Sequence, residues 1–287
     1  MKNFRAYFLL FIAVVALCSC DLAKNNKALI SEAGKALVEE LDQKDGEAGA
    51  CDASAGAAEA DDKLVMQTSP KGTPEQILER TGYVASYNKT TLLPNWVAWH
   101  LTAERTEGSA KRSGVDFAED TEVPEPRATD WDYYNSGYDR GHMCPAADNK
   151  WSKKAMEESF LFTNMCPQNG NLNRGDWNEM EMACRKWAKK YGDLYIVCGP
   201  ILYKGKHKTI GKNKVAVPEA FFKVVLRTGD DPQAIGFIYK NTSGNRPKDS
   251  YVNTVDEVER ITGIDFFPSL PDDVEKNVEA TADIANW

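Results

Sequence analysis

Apolar residues in this chain recur with two different periods. Between residues 177 and 191, Trp177, Met180, Cys184, Trp187, Ala188 and Tyr191 recur at a roughly helical spacing, enough for one broad buried face of an α-helix. Asn173, Glu181 and Arg185 lie eight and four residues apart, so on one helix an amide, a carboxylate and a guanidinium would share the polar side. Runs rich in β-branched and aromatic residues predict strands at Gly82–Tyr87, Asn95–His100, Leu194–Cys198 (closed by Gly199 and Pro200), Val215–Pro218, Phe221–Leu226 and Ala234–Tyr239. Helices are predicted over Trp151–Phe160 and Asp256–Thr262, with Ile264–Leu270 closing the domain. Residues 101–137 are polar, include Pro124 and Pro126, and read as a long surface loop of the functional or mobile kind. There is no internal repeat, and residues 73–287 suffice for one domain with a sizeable core.

The first 72 residues have a different character. Lys2 and Arg5 precede an apolar run, Tyr7–Leu17, too short for a comfortable permanent span, so residues 1–20 read as an export signal. Leu17-Cys18-Ser19-Cys20 resembles a bacterial lipobox in which Cys20 is acylated after cleavage; an ordinary cleaved signal with cysteines nearby is the plainer alternative. Several acyl chains at ~0.8 kcal/mol per buried methylene would hold such a protein at the cell envelope, facing the periplasm or the outside. Residues 21–72 read as a tether, with an amphipathic helix at Lys27–Leu41 and then an acidic Ala/Gly-rich stretch with little to bury. That tether accounts for much of the net charge of −8, which otherwise sits awkwardly with a polyanionic partner.

The chemistry concentrates between Tyr138 and Arg185. Asp139-Arg140-Gly141-His142 gathers a carboxylate, a guanidinium and an imidazole around one glycine, whose missing side chain would let a substrate backbone approach closely. Neutral histidine is the usual base near neutral pH. Arginines grip phosphate oxygens at two points, and asparagine and glutamate oxygens suit Mg²⁺, which keeps most of its waters. Base, cation site and phosphate clamps together predict a phosphodiester-hydrolysing site. His142 lies about thirty residues before Asn173, so the chain must fold back to unite them. His100 reads as structural. Lys186, Lys189, Lys190, Lys204, Lys206, Lys208, Lys212 and Lys214 form either an electrostatic footprint for nucleic acid or an ordinary solvated face. No cysteine pair has zinc spacing, and disulfide connectivity does not follow from spacing.

Asp139-Arg140-Gly141-His142, Asn164 nine residues before Asn173, Asn173-Arg174-Gly175-Asp176-Trp177 and Glu181 together resemble the DNA/RNA non-specific endonucleases, from about Gly82 to Leu270. The resemblance implies an α+β, ββα-metal (His-Me finger) fold with a central antiparallel sheet flanked by helices. It implies hydrolysis of DNA and RNA through backbone contacts, with little sequence preference. It also implies Mg²⁺ (Mn²⁺ as a substitute) held by Asn173, with Glu181 gripping its waters, and His142 as base. Arg140, Arg185 and Arg112 would hold phosphate, with Arg127 competing for the role of Arg112, and Asp139 and Asn164 would order the site. Two other classes stay open: a metal-dependent phosphodiesterase for a non-nucleic-acid substrate, and an inactive nucleic-acid-binding lipoprotein.

Overall fold

The computed structural model describes residues 63–287. The signal, Cys20 and nearly all of the tether lie outside that range. The frame is a seven-stranded, wholly antiparallel sheet in the order β1-β2-β3-β6-β9-β10-β11. Its members are β1 (Gln76–Glu79), β2 (Val84–Asn88), β3 (Leu93–Leu101), β6 (Leu194–Ile201), β9 (Ala220–Arg227), β10 (Gln233–Lys240) and β11 (Val252–Asn253). Two small ribbons complete the strands: β4 (Asp139–His142) with β5 (Met165–Gln168), and β7 (Thr209–Ile210) with β8 (Val215–Ala216). Among the described residues, the α-helices of four residues or more are the single turn α1 (Asp130–Tyr133), α2 (Lys153–Glu158), α3 (Asn178–Tyr191), α4 (Val255–Thr262) and α5 (Asp272–Glu279). None of the described helices is long and apolar enough to cross a membrane.

The central strands are apolar on both sides because both faces are covered. Every residue of β9 is buried, and successive side chains point to opposite faces. Phe221 meets Trp177 at 5.6 Å between ring centroids, while Phe222 meets Phe266 at 5.4 Å. The Trp177 side of the sheet carries α3: Trp187 stacks on Phe237 at 6.3 Å, and Trp177 meets Tyr239 edge-on at 5.7 Å. The opposite side carries α4, which comes so close that a Cβ on Gly236 would lie 2.6 Å from Val258 Cγ2. Trp177 has no exposed surface, and cutting it to alanine would cost ~3–5 kcal/mol.

Three sequence expectations change. Residues 101–137 are not simply a surface loop. Asp120, Val123, Ala128, Asp132 and Tyr133 within them are buried, and Asp120 takes a 2.6 Å ion pair from Arg80 and a 2.7 Å hydrogen bond from the Thr163 hydroxyl. Ile264–Leu270 does not end the domain, because α5 follows with Val274 and Val278 buried. Asn173 is not on the regular helix with Glu181 and Arg185. It begins a π-helical turn, Asn173–Trp177, broken at Gly175 (φ −100°, ψ −113°), and only then does α3 run on. Such turns inside helices are frequent at functional sites.

Candidate active site

The β4–β5 ribbon returns His142 to the polar side of α3. Asp139 pairs with Gln168, Arg140 with Pro167, Gly141 with Cys166 and His142 with Met165. Gly141 serves this ribbon and not a ligand: a Cβ there would lie 2.4 Å from Gln168 Oε1 and 2.6 Å from Gln168 Cβ. The expectation that it admits a substrate backbone is therefore corrected, since the space it leaves is filled by Gln168.

The end of the ribbon is clamped from inside. Asn164 has no exposed surface. Its Oδ1 accepts from the Cys144 amide at 2.8 Å, and its Nδ2 donates to the Cys144 and Ser159 carbonyls at 2.9 and 2.8 Å. Trp177 Nε1 donates to the His142 carbonyl at 3.3 Å. Asn164 thus lies behind the site, fixing the chain two residues after His142, and it does not line the cleft.

The cleft itself measures about 1040 Å³ and collects Arg112, Arg140, His142, Asn173, Glu181 and Arg185. The His142 ring is wedged between Phe160 (5.0 Å, edge-to-face) and Phe117 (5.7 Å). Its Nε2 is sealed from solvent without a hydrogen-bond partner, whereas Nδ1 is not sealed. Nδ1 is therefore the ring nitrogen that a water or phosphate in the cleft can reach. Burial, and secondarily the Arg112 charge, lower the ring's pKa to about 3, so it is neutral at pH 7.

Asn173 Nδ2 donates to Asp139 Oδ2 at 3.1 Å. Because a carboxylate only accepts, this bond fixes the amide orientation and leaves Oδ1 as the unengaged end. Arg174 grips the same Asp139 with two bonds of 3.0 Å. Glu181 makes no hydrogen bond or ion pair among the described residues, and burial raises its carboxyl to about 7 against the opposing pull of Lys223. A free amide oxygen and an unpaired carboxylate form a hard-oxygen donor pair. They fit a divalent ion that keeps most of its waters.

The phosphate-gripping candidates separate clearly. Arg185 lines the cleft while its Nη1 is held at 2.8 Å by Asp148, whose other oxygen accepts from Trp99 Nε1 at 3.1 Å. Arg140 lies over Phe117 at 5.2 Å and pairs with Asp130 at 2.6 Å. Arg112 is exposed in the cleft wall, 5.7 Å from the Phe160 ring. Arg127 is elsewhere, tied to Glu119 and Glu125. The lysine run from Lys186 in α3 to Lys214 does not line the cleft, although Lys208 sits over Tyr138 at its edge. The basic lining is instead Lys111, Arg112, Arg140, Lys150, Arg174 and Arg185 against Asp139 and Glu181. A positive cleft exists in an acidic chain.

Sequence reasoning passed over Phe117 and Phe160, which cradle the imidazole, Asp148, and above all Lys223. That lysine is 1% exposed in the middle of β9, with Nζ 4.3 Å from the Trp177 ring and 5.0 Å from that of Trp99. Burial alone would lower its pKa, but Cys198, Cys184, Glu181 and Asp148 outweigh this and raise it. A buried cation thus stands behind the carboxylates. Its one clue was a charge inside an otherwise apolar run. Cys144, Cys166, Cys184 and Cys198 are buried free thiols, and His100 is away from the cleft, stacked on Tyr195 at 4.7 Å.

Sheet, ribbon and kinked helix define a ββα-metal nuclease fold of the α+β class. The chain matches the DNA/RNA non-specific endonuclease family over residues 61–273, and it belongs to that family. A mitochondrial nuclease EXOG of Danio rerio is 39% identical over 218 residues, covering 69% of this chain and 64% of that protein. The chain thus spans less than two thirds of that relative. Nuclease C1 of Cunninghamella echinulata var. echinulata is 36% identical over 222 residues, 72% of this chain and 88% of that protein. A chain in the crystal structure of the EndoG/EndoGI complex superposes with a TM-score of 0.65 and 32% identity, covering 69% of this chain and 87% of its own.

Proposed function

We propose that this protein is an endonuclease that hydrolyses phosphodiester bonds of DNA and RNA with little sequence preference and depends on Mg²⁺, with Mn²⁺ as a substitute. The observation that carries this reading is the shared cleft, where a neutral imidazole with an open Nδ1, the free Asn173 oxygen and unpaired Glu181 are surrounded by six basic side chains.

His142 Nδ1 takes the proton of the attacking water as the new P–O bond forms and the bond to the leaving sugar oxygen breaks. A phosphate beside Arg112 offsets the charge that disfavours imidazolium, so the base strengthens when substrate is bound. Arg112, Arg140 and Arg185 hold the phosphate and balance the charge that grows on it. Asp139 keeps Asn173 Oδ1 turned outward. A divalent ion held by Asn173 and Glu181 would supply positive charge at the phosphate and the leaving oxygen. Grip on backbone oxygens alone explains indifference to sequence and sugar.

Export and anchoring through acylated Cys20 belong to the same proposal and rest on Lys2, Arg5, Tyr7–Leu17 and Leu17-Cys18-Ser19-Cys20. Labelled fatty acid should enter the native chain and not the Cys20→Ser variant. The catalytic reading is tested by incubating the protein with supercoiled DNA and with RNA, with and without EDTA, beside His142→Ala. Cleavage of both, lost with EDTA and in the variant, is expected; equal cleavage by His142→Ala would overturn it.

A further inference from the structure

A second group of oxygens lies away from the cleft, where α4 packs against α5. One carboxylate oxygen from each of Asp256, Glu259 and Glu279 lies within 4.8 Å of the other two. At such separations a small side-chain adjustment brings all three within reach of one ion, at the ~2.3–2.6 Å usual for Ca²⁺. Glu279 is 5% exposed, and its Oε1 is sealed from solvent with no hydrogen-bond partner. A buried carboxylate oxygen with nothing to accept from costs several kcal/mol unless a charge or proton answers it.

No basic side chain pairs with any of the three among the described residues. Arg260, on the same helix, is spent on Glu257 through bonds of 2.8 and 2.7 Å. The other charged neighbours worsen the crowding: burial, then Glu259, Glu275, Asp256 and Asp265, push the Glu279 carboxyl up to about 9. The Phe266 amide, donating to Glu259 Oε1 at 2.8 Å, holds that side chain in place. Asp256 is exposed, which leaves a path for entry and room for water ligands.

We propose that Asp256, Glu259 and Glu279 bind a structural divalent cation of the Ca²⁺ type that fastens α5 to α4. Ca²⁺ suits this set better than Mg²⁺ because it accepts six to eight oxygens, carboxylates singly or by both oxygens, in an adaptable geometry. None of the three residues lines the cleft, so this ion is separate from the one the reaction needs.

The test uses the full chain after chelator treatment, titrated with Ca²⁺ by calorimetry and followed by thermal unfolding. It is run in the native protein and in Asn173→Ala, where binding at the cleft is removed. A single Ca²⁺ per chain in Asn173→Ala, at least one in the native protein, and a rise of several degrees in Tm in both are expected, with a smaller rise from Mg²⁺. Glu279→Gln should abolish the rise, and Asp256→Asn, at an exposed position that tolerates change, should weaken binding at least tenfold. No Ca²⁺ response in Asn173→Ala, or an undiminished response in Asp256→Asn and Glu279→Gln, would overturn the proposal. Stabilisation by Glu279→Gln in a protein indifferent to Ca²⁺ would also overturn it, because Glu279 would then be held protonated. An equal rise from Mg²⁺ would overturn the Ca²⁺ assignment.

Discussion

Asn164 separates a side chain that reacts from one that holds the reacting chain in place. Replacing it by alanine removes three hydrogen bonds of 2.8–2.9 Å and strands the Cys144 amide, the Cys144 carbonyl and the Ser159 carbonyl around a fully buried position. Each bond is worth about 1 kcal/mol net, and an abandoned buried partner costs ~1–3 kcal/mol. With allowance for partial relaxation, the loss is about 3–5 kcal/mol. At ~2–4 °C per kcal/mol for a domain of this size, Tm should fall by about 6–20 °C.

The kinetic effect follows from position. Cys144 lies two residues after His142, so loosening the clamp lets the imidazole drift, and a drift of about 1 Å can cost ~100-fold in rate. kcat should fall ~10–100-fold, with KM and the proposed divalent-ion dependence changed less than about threefold, since Asn173 and Glu181 are held by other elements. Asn164→Asp, similar in shape, keeps the acceptor for the Cys144 amide but turns an oxygen toward two carbonyls. It should be no better than alanine. Melting by circular dichroism and plasmid cleavage below Tm measure both quantities. An unchanged Tm with activity lost as fully as in His142→Ala would refute the clamp and place the Asn164 amide among the reacting atoms.

Three further predictions follow from other contacts. Glu181 is protonated up to about 7 while His142 is neutral over the same range; a cation must displace that proton, so Mg²⁺ affinity should rise up to tenfold per pH unit below pH 7 and flatten above it, with Lys223→Met moving the break to higher pH in calorimetric titrations. Asp148→Ala abandons a guanidinium at a 2.8 Å pair whose side chains are 1% and 17% exposed, costing ~3–5 kcal/mol in denaturant unfolding; Asp148→Leu with Arg185→Met should recover most of the stability and none of the activity. Arg112→Ala should raise KM for DNA and lower the salt dependence of binding by about one unit of slope, whereas Arg127→Ala should leave cleavage unchanged and shift stability by no more than ~1 kcal/mol.

What the sequence revealed divides along the range of the interactions involved. The apolar stripe from Trp177 to Tyr191 announces α3 because helix burial repeats every few residues, and Phe221–Leu226 announces β9 because both its faces are covered. The β4–β5 ribbon has no such signal, since four residues containing a glycine and two charges show no period, and only pairing with residues 165–168 makes them a strand. α5 escaped for a related reason: its two apolar residues, Val274 and Val278, sit among acidic ones and look like a surface until α4 and β10 lie beneath them.

The same division runs through the site. Side chains that open onto the cleft, such as His142, Asn173, Glu181 and Arg185, were legible because their chemistry is distinctive in itself. Of the residues that position them, Asp139 and Asn164 were named through the family resemblance and Asp148 was passed over, because their partners lie far along the chain: Asp148 holds Arg185 from 37 residues away, Asp139 turns Asn173 from 34, and Asn164 ties Cys144 from 20. Lys223 is the extreme case, since alternation along a strand would send a lysine to water. It is tolerated inside with two indole faces beside its Nζ and with Cys198, Cys184, Glu181 and Asp148 favouring its charge. The acidic chemistry of the cleft wall and the buried cation of the sheet therefore require each other: without Lys223, Glu181 would hold its proton more tightly and meet a divalent ion less readily, and without those carboxylates a lysine in β9 would be an unanswered charge.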